Sequence, residues 1–159
     1  MLIAAALFFS VALWGCGGAV EPSGSPSPTP ARSVTAIPST KDAQGNFNEL
    51  SLRLVEVFVK DLSRAQREAM AAEIAAMPEV ELYHFVDKAE ALERFTKTFP
   101  DISMPTKNPL PASFEIVVRS GVDVPAFAKR FFDDARVDSS PGSHDGVQYS
   151  VQPEESASP

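Results

Sequence analysis

The run Asn108-Pro-Leu-Pro-Ala-Ser-Phe114 fixes more of the local fold than any other stretch of this chain. The rings of Pro109 and Pro111 set their own φ and push Asn108 and Leu110 out of the helical region, so the backbone enters the next segment extended. That segment, Ser113 to Arg119, alternates: Phe114, Ile116 and Val118 share one face at period two. A half-buried strand follows, with a stiff lead-in and no chemistry of its own.

The 14 prolines of the 159 residues are unevenly spread, with a cluster from Pro22 to Pro38, and they divide the chain. Residues 17–49 contain Ser23-Gly-Ser-Pro-Ser-Pro-Thr-Pro30 and almost no aromatic side chain before Phe47, too little apolar surface to offset the entropy of ordering. Residues 16–49, beginning at Cys16, are therefore expected to be a disordered linker, spanning roughly 30 Å as a coil and up to about 100 Å extended. Residues 153–159 are expected to be a disordered tail. The foldable domain is 50–152, whose 12 basic and 16 acidic residues are interspersed. With a net charge of −7 overall, the chain lacks the basic patch that nucleic-acid binding requires.

Residues 1–15 are almost wholly apolar and are followed at once by Cys16, the single cysteine. Fifteen residues fall short of a membrane span, which needs about 20, but suit the core of a secretory signal. Leu13-Trp14-Gly15-Cys16 resembles a bacterial lipobox, which makes residues 1–15 a signal peptide and Cys16 a lipid-attachment site. Two or more acyl chains at Cys16 would hold the protein stably at a membrane. No Lys or Arg precedes the apolar run, so a single uncleaved signal anchor is the alternative. Either reading puts the domain outside the cytoplasm. A lone cysteine excludes an intramolecular disulfide.

Periodicity then predicts the elements in turn. Leu52–Lys60 reads as a strand, with Val55, Val57 and Val59 on one face and Leu54 and Phe58 on the other. Ser63 and Gln66 have capping-box spacing and open a helix whose stripe is Met70, Ile74 and Met77, closed before Pro78. Val80–Val86 is a second strand, and Asp87 caps a helix carrying Leu92, Phe95 and Phe99. After the proline-led strand, Asp123 caps a third helix with Val124, Phe127, Ala128, Phe131 and Ala135 as its stripe. Val147, Tyr149 and Val151 suggest a short last strand. The order predicts an α+β domain: a split βαβ, ferredoxin-like sheet, helices on one face, with a small inserted helical lobe.

Val-Glu-Val-Phe-Val-Lys-Asp61, Pro78-Glu-Val80, Tyr83-His-Phe-Val-Asp-Lys-Ala-Glu-Ala-Leu92 and Asn108-Pro-Leu-Pro-Ala-Ser-Phe114 together resemble the extracellular domain of FtsX. FtsX is a permease-like cell-division protein that works with an ATPase and controls peptidoglycan hydrolases outside the membrane. The resemblance spans about Ser51 to Val151. It implies a docking domain without permease helices, here carried on a lipid anchor. It also implies that the segment after the second helix forms a lobe whose apolar side chains receive a partner hydrolase. The matching side chains are Phe95, Phe99, Ile102 and Met104, a set of the kind favoured at interfaces. Packing of all four against the sheet is the other reading.

Catalytic patterns are missing from the sequence. His84 and His144 lie far apart without metal-ligand spacing; His84 reads as a half-exposed packing residue in a strand and His144 as a turn residue. No Gly-x-Ser-x-Gly elbow occurs, and Asp133-Asp134 and Glu154-Glu155 are adjacent residues that point apart as surface pairs. The sequence thus reads as a membrane-anchored, non-catalytic protein-binding domain with neither cofactor nor metal, docking or regulating a peptidoglycan hydrolase or division complex. A small-ligand-carrying or structural envelope lipoprotein is the alternative; a cell-envelope enzyme and a fragment of a longer permease are minor ones. Neither the partner's identity nor the oligomeric state is encoded legibly.

Overall fold

The computed structural model describes residues 29–41, 48–140 and 144–150. Strands β1 (Arg32–Ser33), β2 (Leu54–Val59), β3 (Val80–Val86), β4 (Ala112–Val118) and β5 (Val147–Tyr149) form one sheet in the order β1-β3-β4-β2-β5. β4 lies antiparallel between β2 and β3, and β2 lies antiparallel between β4 and β5. Strands β2 and β3, joined through helix α2 (Arg64–Ala76), are thus split by β4, and β4 and β5 are split by β2. This is the predicted double split βαβ.

Alternation sorts the side chains as expected. Val55, Val57 and Val59 of β2 and Phe114, Ile116 and Val118 of β4 are buried on one face. Against them pack Met70 and Ile74 of α2, and Phe127 and Ala128 of α4 (Val124–Ala128). Helix α2 starts where its capping box forms: the Ser63 hydroxyl accepts from the Gln66 amide while the Gln66 side chain accepts from the Ser63 amide. It ends at Met77, ahead of Pro78, which cannot continue a helix. Asp123 caps α4 through the Ala126 amide.

Several boundaries differ from the sequence reading. Asn48, whose Oδ1 accepts from the Leu50 and Ser51 amides, nucleates a one-turn helix α1 (Glu49–Leu52), so β2 begins at Leu54 and not at Leu52. Helix α4 gives way after Ala128 to a 3-10 turn over Lys129–Phe131, which leaves Ala135 beyond the stripe and exposed. The chain turns there because Asp134 accepts from the Arg136 amide and guanidinium, and Val137 then bridges Val59. Asp134 is accordingly a half-buried, bonded residue, unlike exposed Asp133.

Within the stretch expected to be linker, the described residues 29–41 make ordered contacts with the sheet. β1 adds parallel to the edge of β3, the Val34 amide donates to the Tyr83 carbonyl at 3.0 Å, and the Arg119 guanidinium donates to the Thr29 carbonyl. Farther on, Thr40 lines a hollow together with Leu54, Glu56 and Tyr149, and its carbonyl accepts from the Asn48 amide. The N-terminal arm therefore runs from the β3 edge toward the β2–β5 side. Composition misses this because the pairing uses backbone groups, not apolar side chains. Cys16, the signal-like segment, Val151, Glu154-Glu155 and the tail lie outside the described residues.

Candidate functional site

Helix α3 (Lys88–Thr98) is the inserted element, and it lies over the sheet face opposite the core. The two crossover helices α2 and α4 share the core side, as expected, and the inserted α3 takes the other face. Asp87 caps it through the Ala89 and Glu90 amides. The Asn108 amide group donates to the Lys88 carbonyl at 2.5 Å, and Asn108 Oδ1 accepts from Leu110 N–H. An Asx turn of this kind is why Asn suits the position before Pro109. It ties the extended proline run to the start of α3.

Beneath α3 the register sets His84, Glu115, Glu56 and Gln148 side by side across β3, β4, β2 and β5. Arg94 of α3 reaches down to this row, donating to Glu115 at 2.6 Å and to Glu90 on its own helix at 2.6 Å. Glu56 accepts from the Ser113 hydroxyl at 2.9 Å. Burial pushes the Glu56 carboxyl above the usual carboxylate range; the Ser113 hydrogen bond opposes this, and the neighbouring Glu115 charge adds to it. His84 is buried, at 8% exposure, and is no half-exposed packing residue. Its Nδ1 lies 2.9 Å from the Val34 carbonyl and its Nε2 lies 3.0 Å from Glu90.

A cleft of about 270 Å³ opens beside this row. Ala91, Arg94, Phe95 and Thr98 of α3 form one wall, Leu110 and Pro111 another, and Glu56, Phe58, Val86 and Ser113 the floor. The result is an apolar slot with one desolvated carboxyl at its base. A hollow of about 520 Å³ adjoins it through Phe58 and Pro111. The larger hollow is polar, and its cations are engaged: Lys60 donates to the Ala135 carbonyl and Lys88 pairs with Asp61. Size alone would favour it, but the smaller cleft has the apolar walls typical of a binding site.

Of the residues singled out from sequence, Phe95 is half-buried and lines the cleft, and its ring lies 5.0 Å from that of Phe99. Phe99 is 47% exposed and Ile102 is 51% exposed; Met104 is half-buried. None of the residues of α3 is buried. Phe95 thus lines the cleft, Phe99 packs on it just past the end of α3, and Ile102 follows, its amide donating to the Phe99 carbonyl at 3.2 Å. Sequence reading missed Glu56, Arg94, Leu110 and Pro111. Glu56 carried a usable signal, being a charge inside the alternating strand on the side away from Val55 and Val57. Among the described residues, no three His, Cys, Asp or Glu side chains converge as a metal site would need, and no helix is long and apolar enough to cross a membrane. His144 opens a short 3-10 turn that ends at Gly146.

Comparison with known proteins places this geometry. Residues 54–139, just over half of the chain, match the family described as the FtsX extracellular domain. The chain is also similar to a crystal structure of extracellular domain 1 of FtsX from S. pneumoniae in complex with undecyl-maltoside, at 16% identity and a TM-score of 0.49, over 72% of this chain and 98% of that one. Among curated proteins none matches. The span matched runs from the first residue of β2 through β3, the inserted α3, the proline run and β4 to the turn after α4, and on it the chain belongs to the family of FtsX extracellular domains.

Proposed function

We propose that this protein is an extracytoplasmic, non-catalytic docking domain that captures a peptidoglycan hydrolase, or a division complex containing one, through the outer end of its inserted lobe. The family is associated with cell division and with binding of partner proteins. The reading rests above all on α3, which buries none of its own residues and leaves Phe99 and Ile102 about half exposed beside an apolar cleft. Large side chains held out in this way are what a protein interface covers. Phe95, Phe99, Ile102 and Met104 are the proposed contacts, and Cys16 the proposed lipid attachment that holds the domain at the membrane face.

Cross-linked capture from envelope membranes tests the docking, comparing the parent with a Phe99→Ala/Ile102→Ala variant whose folding is verified by circular dichroism. The expected result is a wall hydrolase recovered with the parent and lost with the variant. Equal recovery with both would refute the lobe as the docking surface. Cys16→Ser is expected to move the protein from the membrane to the soluble fraction, and continued membrane retention would refute lipid anchoring at that residue. A lipid or other small molecule bound in the cleft, with no hydrolase captured, would favour a ligand-carrying lipoprotein.

A further inference from the structure

We propose that His84 is a proton-operated clasp between the N-terminal arm and the helix that carries the apolar lobe. Its imidazole is the side chain that touches both: Nδ1 faces the Val34 carbonyl at 2.9 Å, and Nε2 faces the two Glu90 oxygens at 3.0 and 3.1 Å. A backbone carbonyl can only accept. Glu90, which accepts from the Arg94 guanidinium at 2.6 Å, turns carboxylate oxygens to the ring, and these too are acceptors. A neutral imidazole has one N–H and can satisfy one of these partners; the imidazolium has two and satisfies both.

The charges around the ring suit that cation. Glu90 and Arg94 face it from α3, Glu115 lies directly opposite on β4, and Glu56 sits one strand farther along the same row. Arg32 of the arm lies on the same sheet face beside Leu82 but is exposed to solvent. Glu90 and Glu115 against Arg94 alone leave a place for a second positive charge. At 8% exposure, water does not readily substitute for a lost partner.

Loss of the proton has a directional consequence. The hydrogen bond to the carboxylate is the stronger one, so neutral His84 keeps its proton on Nε2 toward Glu90. The Nδ1 lone pair then confronts the Val34 carbonyl oxygen, and the arm is the element that loosens while α3 stays. The inference concerns the domain's internal contacts and does not require the docking reading. Its consequence for reach does rest on the proposed anchor at Cys16. Releasing the arm at Val34 frees chain between that anchor and the sheet and so lengthens the reach. Histidine changes charge between pH 5 and 8, a range that an extracytoplasmic domain can meet.

The test is nuclear magnetic resonance of the full chain, labelled with ¹⁵N, between about pH 5.5 and pH 8.5. His84 ring nitrogens report its protonation. Protection factors, which remove the intrinsic pH dependence of exchange, report the Val34 amide in the arm and the Ala91 amide in α3. As His84 loses its proton, Val34 protection is expected to fall about tenfold or more, the loss expected for one charge-assisted hydrogen bond. Ala91, donating to the Asp87 carbonyl at 2.8 Å, is expected to hold its protection. Glu90→Gln is the decisive variant: its carboxamide can donate to neutral Nε2, leaving an Nδ1–H for Val34, so arm protection should stay high across the range. A Glu56→Gln variant should behave like the parent. Constant Val34 protection while the ring titrates, an equal fall in Glu90→Gln, or disappearance of the effect in Glu56→Gln would each overturn the clasp.

Discussion

Replacing Phe99 with alanine asks whether the inserted lobe is surface or core. Fully burying a phenylalanine side chain contributes about 1.5–3 kcal/mol, and Phe99 retains 47% of its exposure, so about 1 kcal/mol of that is at stake. Its ring pair with Phe95, at 5.0 Å, adds about 0.5–1.5 kcal/mol. No cavity forms, because solvent already reaches the site. Phe99→Ala should therefore cost about 1.5–2.5 kcal/mol. Phe114→Ala, at a site with 0% exposure under the Phe85 ring, should cost about 3–5 kcal/mol. Equilibrium urea unfolding resolves the difference, provided the slope with denaturant is common to both variants. A Phe99→Ala loss equal to that of Phe114→Ala would make the ring a core element and remove the basis for a docking surface there.

Three other substitutions probe the sheet and its ties. Glu56→Gln should stabilise the domain at pH 7 and change little at pH 3.5. The folded carboxyl titrates above the usual range because it is buried, so the native state holds its proton more tightly than the unfolded chain and loses stability as pH rises through that window. Thermal unfolding at the two pH values checks this, and a destabilised variant at pH 7 would contradict it. Arg136→Met should cost roughly 1 kcal/mol at neutral pH, discounted for partial exposure, by releasing Asp134 and Glu73. Hydrogen bonding to Arg136 holds both carboxyls below the usual range, so their stabilisation is present above it and lost as pH falls through the lowered values; urea midpoints of parent and variant should converge on acidification. Gly146→Ala should destabilise by about 2 kcal/mol or more, because φ is +74° and the new Cβ would sit 2.5 Å from the Asp138 carbonyl oxygen. A calorimetric midpoint equal to the parent's would show that Val137 and Asp138 shift freely to admit the methyl group.

The parts of the fold legible in the sequence are those dictated by local chemistry. The strand from Val80 to Val86, the caps at Ser63, Asp87 and Asp123, and the inward set Phe114, Ile116 and Val118 all emerge where period and cap agree. What escaped depends on partners distant in sequence. Val34 and His84 are 50 residues apart, and the arm meets β3 through backbone amides and carbonyls that every residue possesses. A proline- and serine-rich composition does not signal such pairing. Phe131 continues the apolar stripe of α4, yet the helix tightens before it and Asp134 redirects the chain toward Val59. In the candidate site, Phe99 and Ile102 were visible as apolar residues, but Glu56 and Arg94 became neighbours only once β2, β4 and α3 were superposed by the fold.

The two faces of the sheet differ in the kind of force that holds them, and this bears on how the lobe can act. The core face is close-packed: Val55, Val57, Phe114 and Ile116 against Met70, Ile74 and Phe127, where any displacement opens a void. The other face holds α3 through Arg94 to Glu115, Glu90 to His84, Asn108 to Lys88 and Lys88 to Asp61, with an open cleft between helix and floor. Apart from the contact at buried His84, these ties reach solvent on at least one side, and such exposed ties contribute little alone. They are directional, so they fix where α3 sits without binding it tightly, and segments held in this way open at lower free energy than the core. A helix so held can tilt to enclose a partner without disturbing the sheet. Glu56, whose carboxyl burial holds above the usual carboxylate range, lies in the row beneath it, so its ionisation acts on this more loosely held face.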